Sequence, residues 1–244
     1  MRPVAVRCYN RVMSSHAARA KRPYFPTEEK VPESLLHIQL RTALWQLLDH
    51  HFGHLGLAGS DQFVYWDPTD PKKNLAPDVY YKLGPQLLPL ISWKTWKRGV
   101  PELAIEIVSD ADSAARAREK TVAQYTTLGV RELLRFDRRD DGTLLEAWDI
   151  ADGTAVPRMI GDDRSTPCRT LGCHFVVAPL AGLGRALRIA RDPEGKDLFA
   201  TDREERDRAE RVAAEVQSRA AEAQSRANAL EAEIAALRAK LAGK

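Results

Sequence analysis

Between Val31 and Gly53 the apolar residues recur at three- and four-residue intervals. Leu36, Leu40, Ala43, Leu44, Leu47 and Leu48 fall on one stripe, which predicts an amphipathic helix. Pro32 suits its first turn, and Gly53 and Gly56 stop it. The pattern then changes period. "QFVYWD" alternates and is rich in β-formers, so it predicts a strand; "DPTDPKKN" reads as a loop. "PDVYYKL" predicts a second strand, with Pro77 at its start, where no ladder N–H is needed. After the loop "SWKTWKRG", the run "ELAIEIVS" is apolar on both faces, as a central strand covered from both sides would be. "DSAARAREKTVAQYTTLG" predicts a helix capped by Asp112 or Ser113 and ended by Gly129. "VRELLRFD" and "LLEAWDI" predict strands on either side of the turn-like "RRDDG", and "CHFVVAPL" the last strand. This order predicts an α/β fold, a mixed sheet with helices on its faces.

Past Thr201 the pattern changes again. Ala209, Ala213, Val216, Ala220, Ala223, Ala227, Leu230, Ile234, Leu237 and Leu241 alternate steps of four and three, an a/d heptad seam without Gly or Pro. Alanine fills most of its first half, so the Leu and Ile of the second half, each worth about 1.5–3 kcal/mol when buried, dominate any association. The seam predicts a coiled coil, with itself or with a partner helix; the alternative is a single solvated helix supported by Ala, Glu and Arg. Three segments are expected: a loose basic arm over 1–23, a folded domain over 24–200 and a coiled-coil helix over 201–244. The "SSHAARAKRPYFP" after Met13 resembles a natural beginning, so the chain's start is Met1 or Met13.

Composition narrows the function. Of 244 residues, 44% are hydrophobic and 29% charged, which fits a globular core rather than disorder. No apolar run approaches the roughly 18 residues needed to cross a bilayer, and the basic start lacks the apolar segment of a secretory signal. Three cysteines, Cys8, Cys168 and Cys173, cannot all pair, which points to a reducing cytoplasm. A net charge of +3 is mildly favourable for a polyanion and decides nothing alone.

Two acids stand out. Asp78 opens a strand, and Glu106 lies within an apolar one. A lone buried carboxylate costs several kcal/mol unless it is paired or bound to metal. Two carboxylates converging from neighbouring strands form an oxygen-rich pocket suited to Mg²⁺ or Mn²⁺, and such an ion polarises phosphoryl oxygens and acidifies water. Lys120, on the helix after the Glu106 strand, is placed to stabilise negative charge. Each residue also has a plainer reading: a strand-start cap for Asp78, an ion pair with Arg135 for Glu106, and a solvated helix position for Lys120.

The run "PDV", then "ELAIEIVS", then a helix with a lysine followed by "QYTTLGVRELLRFD", resembles the Uma-type family of restriction endonucleases in the PD-(D/E)XK nuclease superfamily, from about Tyr24 to about Leu187. The resemblance implies a restriction-endonuclease-like fold and metal-dependent cleavage of phosphodiester bonds. It implies that Asp78 and Glu106 are metal ligands, that Lys120 supplies the superfamily lysine and that Glu33 is an accessory acid. Three departures accompany it. Ile107 and Val108 follow the acid where the superfamily carries its lysine two residues on. Lys120 lies five residues before Tyr125 rather than four, and Arg116 stands where relatives often carry Asp.

The remaining polar clusters read as structural. His50, His51 and His54 in "HHFGH" lie at a helix end followed by glycine, and no cysteine or carboxylate cluster completes four zinc ligands. Cys168, Cys173 and His174 lack finger spacing. Trp93, Lys94, Trp96, Lys97 and Arg98 form a basic-aromatic loop that either stacks on nucleic acid or covers the core. The function expected is a Mg²⁺- or Mn²⁺-dependent endonuclease acting on DNA, with the C-terminal helix forming a homo-oligomer or binding a partner helix. The alternative is a catalytically weakened nuclease fold that acts as an interaction protein through its coiled coil; a pure DNA-binding module fits the near-neutral charge less well.

Overall fold

The computed structural model describes residues 34–85, 91–108, 115–138, 145–160 and 164–242. Pro32, Glu33, Asp112 and Ser113 lie outside them, as do the basic arm and Cys8. The first helix, α1 (Leu35–Phe52), begins at Ser34, whose side chain accepts the His37 N–H at 3.2 Å. It buries Leu40, Leu44, Leu47 and Leu48 of the predicted stripe together with Phe52, while Leu36 and Ala43 are partly buried against the same core.

β1 (Gly56–Gly59), β4 (Val79–Leu83), β6 (Leu103–Ile107), β7 (Glu132–Phe136), β8 (Leu145–Ala151) and β9 (Thr154–Pro157) form a six-stranded sheet in the order β1-β4-β6-β7-β8-β9. β6 and β7 are parallel, joined through α3 (Ala115–Leu128), and every other pairing is antiparallel. The mixed α/β class and the central place of the "ELAIEIVS" strand are as predicted. Two small sheets accompany the main one. β2 (Val64–Tyr65) pairs with β3 (Asn74–Leu75) and β5 (Trp93–Lys94), the last followed by the short α2 (Thr95–Arg98). β10 (Ser165–Cys168), β11 (Cys173–Leu180) and β12 (Gly184–Ala190) form an antiparallel meander.

Several local expectations give way. Gly56, read as part of a helix stop, opens the edge strand β1 instead: its missing side chain lets the chain lie against the Lys82 carbonyl, where an added Cβ would stand 2.1 Å away. "CHFVVAPL" is not the last strand, because β12 pairs along its whole length. Asn74, the last residue of the predicted loop, forms β3 together with Leu75.

Two cores flank the sheet. On one face Leu103, Ile105 and Ile107 of β6 pack with α1 and the meander. On the other, Ala104 packs with Leu133, Trp148 and the α3 residues Tyr125 and Leu128. Glu106 follows Ala104 by two residues, so strand alternation sends it to the α3 side. Cys168 and Cys173 face each other across the β10–β11 hairpin, both free and buried. No helix among the described residues is long and apolar enough to cross a membrane.

The last helix, α4 (Asp202–Ala242), has 41 residues and none of them is buried. Its start is firmly held. The Thr201 hydroxyl accepts the Glu204 N–H at 3.3 Å while Glu204 accepts the Thr201 N–H at 2.8 Å, a reciprocal capping box. Glu204 also receives both guanidinium nitrogens of the buried Arg188, at 3.0 and 2.8 Å. Arg188 further donates to the carbonyls of Phe199 and Pro179.

Candidate active site

The register of β4 on β6 pairs Val79 with Ile105 and Tyr80 with Ala104. Continued by one residue, it sets Asp78 across from Glu106 at the end of the sheet. Asp78 is buried, and its two oxygens are separately engaged. Oδ2 accepts the Ile107 N–H at 2.7 Å, tying the acid to the strand that carries Glu106. Oδ1 lies 2.8 Å from His37 Nε2 and 4.0 Å from the Arg41 guanidinium, both on α1. The Asp78 carbonyl accepts the Ser60 hydroxyl at 2.7 Å, which fixes the backbone as well.

Glu106 is half-buried and accepts a short hydrogen bond from the Tyr125 hydroxyl of α3. Burial drives the Tyr125 phenol well above its ordinary pKa, and the charges of Glu106 and Asp78 push it further, so Tyr125 remains a donor. In register, Glu106 stands beside Arg135 of β7, and Arg135 beside Glu146 of β8. Arg135 donates to Glu146 at 3.0 Å, and Arg118 of α3 donates to the other Glu146 oxygen at 2.6 Å while lying over the Trp148 ring. Asp78, Glu106, Arg135 and Glu146 thus form a row of charges across four adjacent strands, acidic at the β4–β6 end.

These residues fit a hard divalent cation. Each carboxylate oxygen has two lone-pair directions. Two carboxylates drawn from adjacent strands supply the oxygen donors and the paired negative charge that such an ion takes.

Lys120 is exposed on α3. It lies five residues from Tyr125, about 140° around the helix, whereas Arg118 at seven residues falls within about 20° of the Tyr125 direction. The structure therefore brings Asp78, Glu106, His37 and Tyr125 together and sets Lys120 on another face of α3. Sequence reading passed over His37 and Arg41. Their signal was present: spaced by four, they continue the line of Leu44 and Leu48 toward the helix start, placing polar groups on the buried side of α1. Of the tryptophans in the basic-aromatic loop, Trp93 is fully buried against Tyr80 and donates to the Gly99 carbonyl at 2.9 Å, so it belongs to the core; Trp96 is exposed.

A family model for Uma2, described as "Putative restriction endonuclease", matches residues 27–172. No curated protein matches the chain. Among solved structures, the chain is similar to one from Anabaena variabilis described as "a putative nuclease belonging to DUF820", with 11% sequence identity over 59% of this chain and 76% of that one and a TM-score of 0.39.

Proposed function

The chain belongs to the Uma2 family of restriction-endonuclease-like proteins, and from that premise we propose that it is a divalent-metal-dependent endonuclease that hydrolyses phosphodiester bonds in DNA. The observation that carries the proposal is that the β4–β6 register, continued by one residue, sets Asp78 across from Glu106 at one end of the sheet, with Asp78 bonded to the N–H of Ile107 and Glu106 to the Tyr125 hydroxyl. Asp78 and Glu106 are the residues that hold Mg²⁺ or Mn²⁺. Bound there, the ion supplies Lewis-acid polarisation of a phosphoryl oxygen and an acidified water. The chain's own groups prepare the site. His37 and the Ile107 N–H hold Asp78 from two directions, and the Tyr125 hydroxyl donates to Glu106. The resemblance assigns transition-state charge stabilisation to Lys120; the cation that stands beside Glu106 in the sheet register is Arg135. The proposed setting is the cytoplasm, where Cys168 and Cys173 stay reduced.

The test is nicking of supercoiled plasmid in Mg²⁺ or Mn²⁺ by wild type and by Glu106→Ala at matched purity. Metal-dependent nicking that disappears in the variant is expected. Equal nicking by both proteins, or none by wild type, overturns the assignment.

One observation favours a second reading, an interaction protein on a weakened nuclease fold: α4 exposes Leu230, Ile234, Leu237 and Leu241 along one seam while Lys120 faces away from the acid pair. Absence of nicking together with self-association through α4 would select it.

A further inference from the structure

His50 and His51 occupy the last turn of α1, where no acid follows them closely in sequence. The fold supplies acids from a segment about 150 residues further on, the first turn of α4. We propose that His50, His51 and Glu205, with Asp202 at the rim, form a second metal site, one that takes a transition ion of the zinc class and clamps the long helix to the core.

Three observations carry this site. First, donor atoms of His50, His51 and Glu205 all lie within 4.8 Å of one another. Second, the His50 ring is flanked on both sides: Nδ1 is 3.5 Å from Asp202 Oδ1 and Nε2 is 3.9 Å from Glu205 Oε2. Both separations exceed a good hydrogen bond. Two donors that share a tetrahedral ion at about 2.0–2.2 Å stand about 3.4 Å apart, so a small inward adjustment of His50 Nε2 and Glu205 accommodates an ion, while Nδ1 faces Asp202 as its outer partner. Third, His51 Nε2 lies 2.7 Å from the Ala200 carbonyl, a pairing in which only the ring can donate. The neutral His51 ring therefore carries its lone pair on Nδ1. A backbone carbonyl that fixes the tautomer in this way is the usual outer partner of a metal-ligating histidine.

The surroundings agree. His51 also packs against Phe199, whose ring lies 4.9 Å away, so the imidazole is oriented before any ion arrives. The Arg188–Glu204 pair fixes the turn that presents Glu205. His50, Asp202 and Glu205 are each about half exposed, which leaves an entry path and room for water as a remaining ligand. Two imidazoles with carboxylate select zinc-class ions over Mg²⁺ or Ca²⁺. The site thus differs in metal preference from the all-carboxylate pair of Asp78 and Glu106.

The test uses full-length protein dialysed against micromolar Zn²⁺ in excess Mg²⁺, followed by metal analysis, with Co²⁺ absorption as a second readout. Wild type and Glu106→Gln are expected to retain the same zinc equivalent per chain. His50→Ala and Glu205→Gln are expected to lose it, together with the visible Co²⁺ band, and to show at least tenfold weaker zinc affinity. Zinc should also slow proteolysis at the start of α4 in wild type and Glu106→Gln, and not in His50→Ala or Glu205→Gln. Zinc retention unchanged in both variants, or no zinc bound by wild type, overturns the proposal and leaves an exposed ion pair only.

Discussion

Asp78 accepts the backbone N–H of Ile107 at 2.7 Å, so the acid of one strand is fastened to the residue that follows the acid of the next. This bond lets structure and charge be separated. Asn at position 78 keeps an oxygen for the Ile107 N–H and removes the carboxylate. Asp78→Asn should therefore cost only about 1 kcal/mol of stability, measured by urea unfolding, while calorimetric Mn²⁺ binding at the acid pair is lost. A variant that still binds Mn²⁺ there with wild-type affinity would argue against Asp78 as a ligand.

His37 acts through Asp78. His37→Ala should lower Mn²⁺ affinity or nicking by roughly 10–100-fold, the range seen when an outer partner of a metal ligand is removed. The Mn²⁺ dependence of the nicking rate measures it. His37→Asn, which can still donate to Asp78, should recover part of the loss.

Tyr125→Phe removes the hydroxyl that donates to Glu106 while leaving the ring in its buried place. The Mn²⁺ affinity read from nicking rates should fall by roughly tenfold or more, as for loss of an outer partner of a metal ligand. The alkaline side of the pH–rate profile should show no phenol ionisation near pH 10 in wild type, because burial and the two carboxylates hold Tyr125 protonated.

At the base of α4, burial pushes the Glu204 pKa upward, but the Thr201 N–H and Arg188 outweigh it and the net shift is downward. A carboxylate with a depressed folded pKa contributes stability above its unfolded value of about 4.5, and that contribution disappears as pH falls through the folded value. Glu204→Gln should thus destabilise at pH 7, and the gap to wild type should close below about pH 4.5. Glu204→Ala strands the buried Arg188 and should cost about 3 kcal/mol at neutral pH. Thermal unfolding at pH 4 and pH 7 checks both.

The same pair governs how the tail is tested. Cutting the chain at Ala200 would remove Glu204 from beneath Arg188 and damage the domain as well as the helix. A chain ending at Glu210 keeps the junction. Light scattering should give a larger mass per chain number for the full-length protein than for this shortened one, and Leu237→Lys should shift the full-length protein toward monomer. Equal association states would remove the self-association proposal.

Sequence periodicity was enough for α1, the central strand β6, the strand–helix–strand unit around α3 and the long α4, because each has a sustained apolar pattern. It failed where pairing rather than pattern makes the strand. β1 is two glycines around Leu57 and Ala58, and β3 and β5 are two residues each, too short to show alternation, whereas β2 lies inside the alternating "QFVYWD". In the site, Asp78 and Glu106 were visible because each interrupts an apolar run. His37 was not, since a histidine inside an amphipathic helix looks ordinary until its partner 41 residues away is known. The acids facing His50 were hidden for the same reason, by distance along the chain. The T-x-x-E of Thr201 and Glu204 was a readable helix start that the heptad analysis overlooked.

The length of α4 acts as a ruler on any duplex the protein engages. Its 41 residues extend roughly 60 Å from a clamped base. Parallel pairing puts both catalytic domains at the same end, close enough to address facing strands at one locus. Antiparallel pairing puts them at opposite ends, so paired cuts would fall about 18 base pairs apart at 3.4 Å per step. The spacing between cuts would then report the orientation of the tail.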